Sequence, residues 1–208
     1  MGKKVFVVGG GYDYEMLFKN RGWELTNNYK EADLVQFTGG EDVSPHLYNE
    51  KIHPRAYCSS RRDSIEMELF TACVAMKKPM AGICRGGQFL NVMNGGKMFQ
   101  HVGNHTASHV AYDHISGKEF IVSSTHHQMM RPSHKGTVFL SSKNGGFKEF
   151  MRGEEVVRCP DDVETVDTEA VFYQETRSIC FQPHPEFAGF KKLGDYYIEV
   201  INIFLFTE

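Results

Sequence analysis

The sequence has no apolar run long enough to cross a bilayer, which takes about 20 residues, and no marked excess of either charge; its formal net charge is −3. A membrane partner is therefore not expected. Without a basic stripe, nucleic acid is not expected either. The apolar run Val5–Val8 is too short for the core of a secretory signal and is followed by no small-residue cleavage site. Gly2 does not begin a myristoylation signal, because Phe6 stands where Ser or Thr is required. The five cysteines, Cys58, Cys73, Cys84, Cys159 and Cys180, are odd in number and irregular in spacing, and none forms a C-x-x-C pair. That pattern argues against a disulfide framework and against a cysteine-based zinc site, and it makes the reducing cytoplasm the expected compartment. Gly9-Gly10-Gly11 lacks the G-x-G-x-x-G spacing of a dinucleotide fingerprint and reads as a turn. No cofactor is expected. There is no internal repeat, low-complexity tract or linker, so 1–208 is read as one domain.

What is present alternates between strand and helix. Lys3–Val8 and Leu34–Phe37 are β-branched or aromatic runs that end in glycines, and Lys78–Ile83 is a third strand. Tyr14–Asn20 reads as a helix closing near Gly22. Asp63–Met76 reads as a second helix, capped by Ser59, Ser60 or Asp63, with Ile65, Leu69, Ala72 and Met76 as its apolar face. A third helix runs from Cys84 to Asn94 and stops at Gly95-Gly96. This alternation predicts an α/β fold with a largely parallel sheet. The second half differs: Phe120–Ser123, Thr137–Leu140, Val166–Tyr173 and Ile179–Gln182 are strand-like with little helix between them, which predicts an antiparallel extension. Asn144–Asp162 reads as loop or hairpin, and Tyr196–Phe206 as a core-packing helix.

The chemistry concentrates around Cys84. A cysteine between a strand and a helix, with Gly82 before it and Gly86-Gly87 after it, sits on a tight turn that holds it above the sheet. The helix N-terminus behind it favours the thiolate. For an isolated cysteine, burial in the core would be the better reading; the glycines favour the nucleophile. Phe181-Gln182-Pro183-His184-Pro185-Glu186 supplies the rest. The proline-fixed backbone lets His184 face the cysteine while Glu186 orients the imidazole, the general logic of an activated nucleophile.

Gly82-Ile83-Cys84-Arg85-Gly86-Gly87-Gln88 followed by Gln182-Pro183-His184-Pro185-Glu186 resembles the class I glutamine amidotransferase family. Arg85, directly after the cysteine, points to its γ-glutamyl-hydrolase branch, which includes γ-glutamyl-γ-aminobutyrate hydrolases. Phe37–Tyr48, Arg62-Asp63 with Glu66, and Ser123-Ser124-Thr125-His126-His127-Gln128 resemble further stretches of that branch. The resemblance implies a three-layer α/β/α sandwich, flavodoxin-like, with a mostly parallel central sheet and an antiparallel extension. It implies a catalytic triad of Cys84, His184 and Glu186, and an oxyanion hole of backbone N–H groups from Gly40 and Arg85. Gln88, His126, His127 and Gln128 would contact the substrate, a γ-glutamyl amide such as glutamine or a γ-glutamyl amine. Three departures from the family pattern stand out: Pro183 replaces an apolar residue, Ser123 an asparagine, and Gly87 a larger residue, which would enlarge the pocket.

Ten histidines are many for this length. The four-residue spacing of His101, His105 and His109, with His114 beyond, suits a metal site on a helix, but Gly103, Asn104 and Ser108 argue against the helix. These histidines are expected to line the pocket, with no metal bound. The leading expectation is a stand-alone hydrolase. The runner-up is a glutaminase subunit that passes ammonia to a separate synthetase partner. An inactive scaffold with a regulatory role is the third reading, and the intact Cys84, His184 and Glu186 weigh against it. If the chain self-associates, a homodimer is the default.

Overall fold

The computed structural model describes residues 2–159 and 166–207. β1 (Lys4–Val7) leads through the glycine turn into α1 (Tyr12–Lys19), followed by β2 (Glu24–Leu25) and β3 (Leu34–Phe37). α2 (Ser60–Ala75) precedes β4 (Met80–Ile83), which passes directly into α3 (Arg85–Met93). A run of short strands follows: β5 (Lys97–Phe99), β6 (His101–Val102), β7 (His109–Asp113), β8 (Lys118–Val122), β9 (Met129–Arg131) and β10 (Gly136–Ser142). Then come the hairpin β11 (Lys148–Arg152) and β12 (Glu155–Cys159), the long β13 (Asp167–Tyr173), β14 (Ser178–Phe181) and α4 (Lys191–Phe206).

Nine of these strands form one sheet in the order β2-β1-β3-β4-β14-β13-β10-β7-β8. From β2 to β14 the neighbours are parallel; from β14 to β8 they are antiparallel. At the centre, β3, β4 and β14 are buried at every position, and β4 reads as an unbroken apolar run, because both faces are covered. Ala81 and Ile83 of β4, with Ile179 and Phe181 of β14, join the core beneath α1 and α4, whereas Met80 and Cys180 point to the core beneath α2 and α3. Period-two alternation of a strand thus feeds two helical layers, and the fold is a flavodoxin-like α/β/α sandwich.

The structure corrects the reading of α2. Ser59 caps it, its side chain accepting a hydrogen bond from the Arg62 N–H. Its buried face is Asp63, Glu66, Phe70 and Cys73, while Ile65 and Met76 are exposed. Two carboxylates occupy the inner face because a buried arginine lies opposite them. β5, β6 and β9 were not legible, being two or three residues long. β7 was missed because its inward residues, Ala111 and Asp113, are not bulky. The stretch read as loop or hairpin contains β11 and β12, turning at Gly153 with φ +61°; residues 160–162 of it lie outside the described residues.

Candidate active site

Ile83 ends β4 and Arg85 begins α3, so Cys84 alone makes the turn, at φ 50° and ψ −113°. A side chain bearing this backbone is rare and costs on the order of 1–3 kcal/mol. Its N–H donates to Phe181 O at 2.7 Å and its carbonyl accepts from Gln88 N at 2.9 Å. The flanking glycines are required by proximity. A Cβ on Gly86 would lie 2.5 Å from Phe37 O, and one on Gly87 2.7 Å from Phe181 N. Gly87 therefore packs α3 onto the sheet and does not enlarge the pocket, contrary to the sequence reading.

β14 runs parallel beside β4 with Phe181 opposite Ile83. Both chains therefore leave the sheet at the same edge, and the residues after β14 pass over Cys84. There His184 Nδ1 lies 2.6 Å from Glu186 Oε1. Burial disfavours the imidazolium, but hydrogen bonds to Cys84 and Glu186 outweigh it and raise the pKa to about 10. The Phe187 ring stacks on the imidazole at 4.5 Å. Ser123 fixes the His184 backbone from both sides: its hydroxyl accepts from His184 N at 2.7 Å and donates to His184 O at 3.0 Å. The serine that departs from the family pattern is thus a clamp on the histidine.

The loop after β3 forms the opposite wall. Gly40 has φ +144°, a conformation that suits glycine. Arg62 holds this loop by donating to Thr38 O at 2.9 Å and Gly39 O at 3.0 Å, while pairing with Glu41 at 3.0 Å and Glu66 at 2.8 Å. Tyr14 reaches in from α1 and accepts the Gly39 N–H at 3.0 Å. Burial, then the charge of Glu186, raises the Tyr14 pKa. Arg85 begins α3 beside Cys84, but its side chain points inward, fully buried, to Asp63 at 2.5 Å and to Glu66. The motif residues Asp63, Glu66 and Arg85 are therefore one buried charge network, which the half-buried Arg62 joins through Glu66.

Beside Cys84 lies a cleft of about 220 Å³, lined by Gly40, Asp42, Gln88 and residues 125–128 among others. It is smaller than the roughly 300–1,000 Å³ of sites for drug-sized ligands, which suits a group of amino-acid size. Gln88 donates to Gln182 Oε1 at 3.1 Å, and Gln182 in turn donates to Cys84 Sγ at 3.7 Å. His127 pairs with Asp42 at 3.1 Å, and that hydrogen bond raises its pKa. His126 is buried, which lowers its pKa to about 4, and its Nδ1 lies 2.7 Å from Gln128 O. Among the described residues, neither side-chain amide atom of buried Gln128 has a hydrogen-bond partner. The cleft lining does not include His101, His105, His109 or His114, contrary to the sequence reading. Sequence reasoning missed Tyr14 as a site residue, since no local signal marks it, and it placed Ser123 and Gln182 within motifs without giving them a role.

The chain resembles known proteins in sequence and in fold. The Peptidase C26 family model matches residues 16–114. The glutamine amidotransferase-like protein YvdE of Lactococcus lactis subsp. lactis is 30% identical over 157 residues, which are 64% of this chain and 66% of that protein. Its homolog from Lactococcus lactis subsp. cremoris is 33% identical over 138 residues, 54% of this chain and 73% of that one. Among solved structures, a glutamine amidotransferase from Thermotoga maritima superposes with a TM-score of 0.63 at 13% identity, covering 98% of this chain and 84% of that one. PurLQS from the same organism gives 0.61 at 15% identity, covering 99% and 100%. By these likenesses the chain belongs to the glutamine amidotransferase-like family.

Proposed function

We propose that this protein hydrolyses a γ-glutamyl amide through a covalent thioester. The observation that carries the proposal is the sequence of contacts from Glu186 to His184 to Cys84, with the 2.6 Å Glu186–His184 hydrogen bond at its head. A histidine with a pKa of about 10 is an imidazolium at neutral pH, which suits a thiolate on Cys84. The thiolate attacks the γ-carbonyl carbon, and the carbonyl oxygen takes the negative charge facing the N–H groups of Gly40 and Arg85. His184 gives its proton to the departing amine as the C–N bond breaks and the thioester remains. Neutral His184 then takes a proton from water, whose oxygen attacks the thioester. Glutamate leaves, and the Cys84–His184 ion pair is restored. Loss of one oxyanion donor typically costs about 10²–10³ in rate. Gln88, His126, His127 and Gln128 are the proposed contacts to the glutamyl group, all four lining the cleft beside Cys84, and Arg85 after the nucleophile favours the γ-glutamyl-hydrolase branch.

The test is a panel of γ-glutamyl amides with mass-spectrometric trapping of the thioester. Wild type should gain one glutamyl adduct on Cys84 and release glutamate, and Cys84→Ala should do neither. Glutamate release by Cys84→Ala at the wild-type rate would remove Cys84 from the mechanism. A second reading, a glutaminase subunit with a separate synthetase partner, draws on fold likeness to a GMP synthase subunit from Thermoplasma acidophilum, with a TM-score of 0.57 at 15% identity. Activity that stays low until a co-purifying synthetase is added would favour it.

A further inference from the structure

Behind the wall of the cleft lies a second cluster of buried polar groups. His105, His109 and Glu169 each offer one ligand atom, and these atoms lie within 4.8 Å of one another. His105 and Glu169 side chains are fully buried and that of His109 nearly so. The hydrogen bonding of the rings is informative. His105 Nδ1 lies 2.5 Å from Gly103 O, His109 Nδ1 3.3 Å from Ala107 O, and His126 Nδ1 2.7 Å from Gln128 O. Each imidazole is thus anchored through Nδ1 to a backbone carbonyl, leaving Nε2 for the interior. That is how outer groups orient histidine ligands of a metal.

The inner atoms are under-satisfied. Among the described residues, His126 Nε2 and Glu169 Oε2 are buried without a hydrogen-bond partner, and His105 Nε2 has only the 3.3 Å contact to Asp167. Glu169 Oε1 accepts from Ser142 at 2.9 Å and contacts His109 Nε2 at 2.7 Å. Asp167, two residues along β13 from Glu169, lies 3.3 Å from His105 Nε2 and 2.7 Å from Lys148 Nζ. Lys148 occupies Asp167 and leaves Glu169 as the carboxylate ligand. Buried polar atoms without partners are costly, and here one belongs to the cluster and another to the His126 ring, 5.0 Å from that of His105 between centroids.

We propose that His105, His109 and Glu169 bind a first-row divalent metal ion of the zinc type, and that His126, whose ring lies 5.0 Å from that of His105 between centroids, moves in as the fourth ligand. Two or three imidazoles and one carboxylate suit that ion, and side-chain adjustments bring the donors to the roughly 2.0–2.2 Å that zinc requires. The closed setting makes the site structural, since catalytic zinc sites keep an open position. His109 also borders a cleft of about 760 Å³, with His114 and Ser142, through which an ion could enter. The ion would tie the segment before β7 and strand β13 to the 123–128 loop that lines the active-site cleft. Four-residue spacing marked His105 and His109 in the sequence; Glu169 joins them only through the antiparallel pairing of β7, β10 and β13.

The test uses the full chain, stripped with a chelator and titrated with Co²⁺ alone. Wild type and Cys84→Ala should each bind one equivalent with the intense visible absorption of a tetrahedral site. His109→Gln and Glu169→Gln should bind at least tenfold more weakly, and circular dichroism would establish that they are folded. Zn²⁺ should raise the unfolding temperature of wild type and Cys84→Ala but not of the two ligand variants. Three results would overturn the proposal: no stoichiometric binding, binding lost in Cys84→Ala, or binding retained in both ligand variants.

Discussion

At the scale of the residue, Cys84 is held in a backbone conformation that its side chain disfavours. Glycine tolerates that conformation where alanine does not. Cys84→Gly should therefore be more stable than Cys84→Ala by about 1–3 kcal/mol, as read by urea denaturation, with both variants inactive. Equal stabilities would show that the turn is unstrained. His184 allows a pH prediction. Its folded pKa, about 10, lies above its unfolded value. The stabilisation from its protonation is therefore complete below about pH 6.5 and is lost as the pH rises through the folded pKa. The difference in unfolding temperature between wild type and Glu186→Gln should be largest near pH 6 and narrow steadily towards pH 10. A gap that widens with pH would mean that the pair is not charged. Tyr14 is a positioning residue: it is the acceptor for the Gly39 N–H and stands beside Glu186. Tyr14→Phe should lower kcat about tenfold, the equivalent of one lost hydrogen bond, with little change in KM. A change confined to KM would place Tyr14 in substrate binding instead.

At the scale of the element, the helix over residues 63–76 was legible, but which face turns inward was not. Its apolar periodicity suggested Ile65 and Met76, yet the buried positions include Asp63 and Glu66, which meet Arg85 across the interface with α3. Local pattern cannot reveal a charge that is buried only because its partner comes from another element. Removing one member of such a buried network leaves a charge uncompensated. Glu66→Ala should lower stability by about 3–5 kcal/mol, measured by denaturant unfolding, whereas Ile65→Ala, on the exposed face, should change it by less than about 0.5 kcal/mol. The short strands β5, β6 and β9 were equally hidden, because two or three residues carry too little alternation to be read.

At the scale of the whole molecule, the fold rests on its two cores and on no covalent cross-link: all five cysteines are free. The unfolding temperature should be the same with and without a reducing agent in a calorimetric scan, and a rise on oxidation would reveal a cross-link between chains or within one. No helix among the described residues is long and apolar enough to cross a membrane. The sequence by itself determined the alternation of strand and helix in the first half, the turn at Cys84, and the residues His184 and Glu186 as its candidate partners. These are carried by local composition: glycines that admit close approach, prolines that fix an extended backbone, and apolar runs that demand cover on both faces. The tertiary structure alone decided that Tyr14 serves the site, what Arg62 and Ser123 hold there, that Gly87 packs against the sheet, and that His105 and His109 meet Glu169. Those contacts join elements far apart in the chain, and they exist only because parallel strands end at one edge and antiparallel strands fold back beside them.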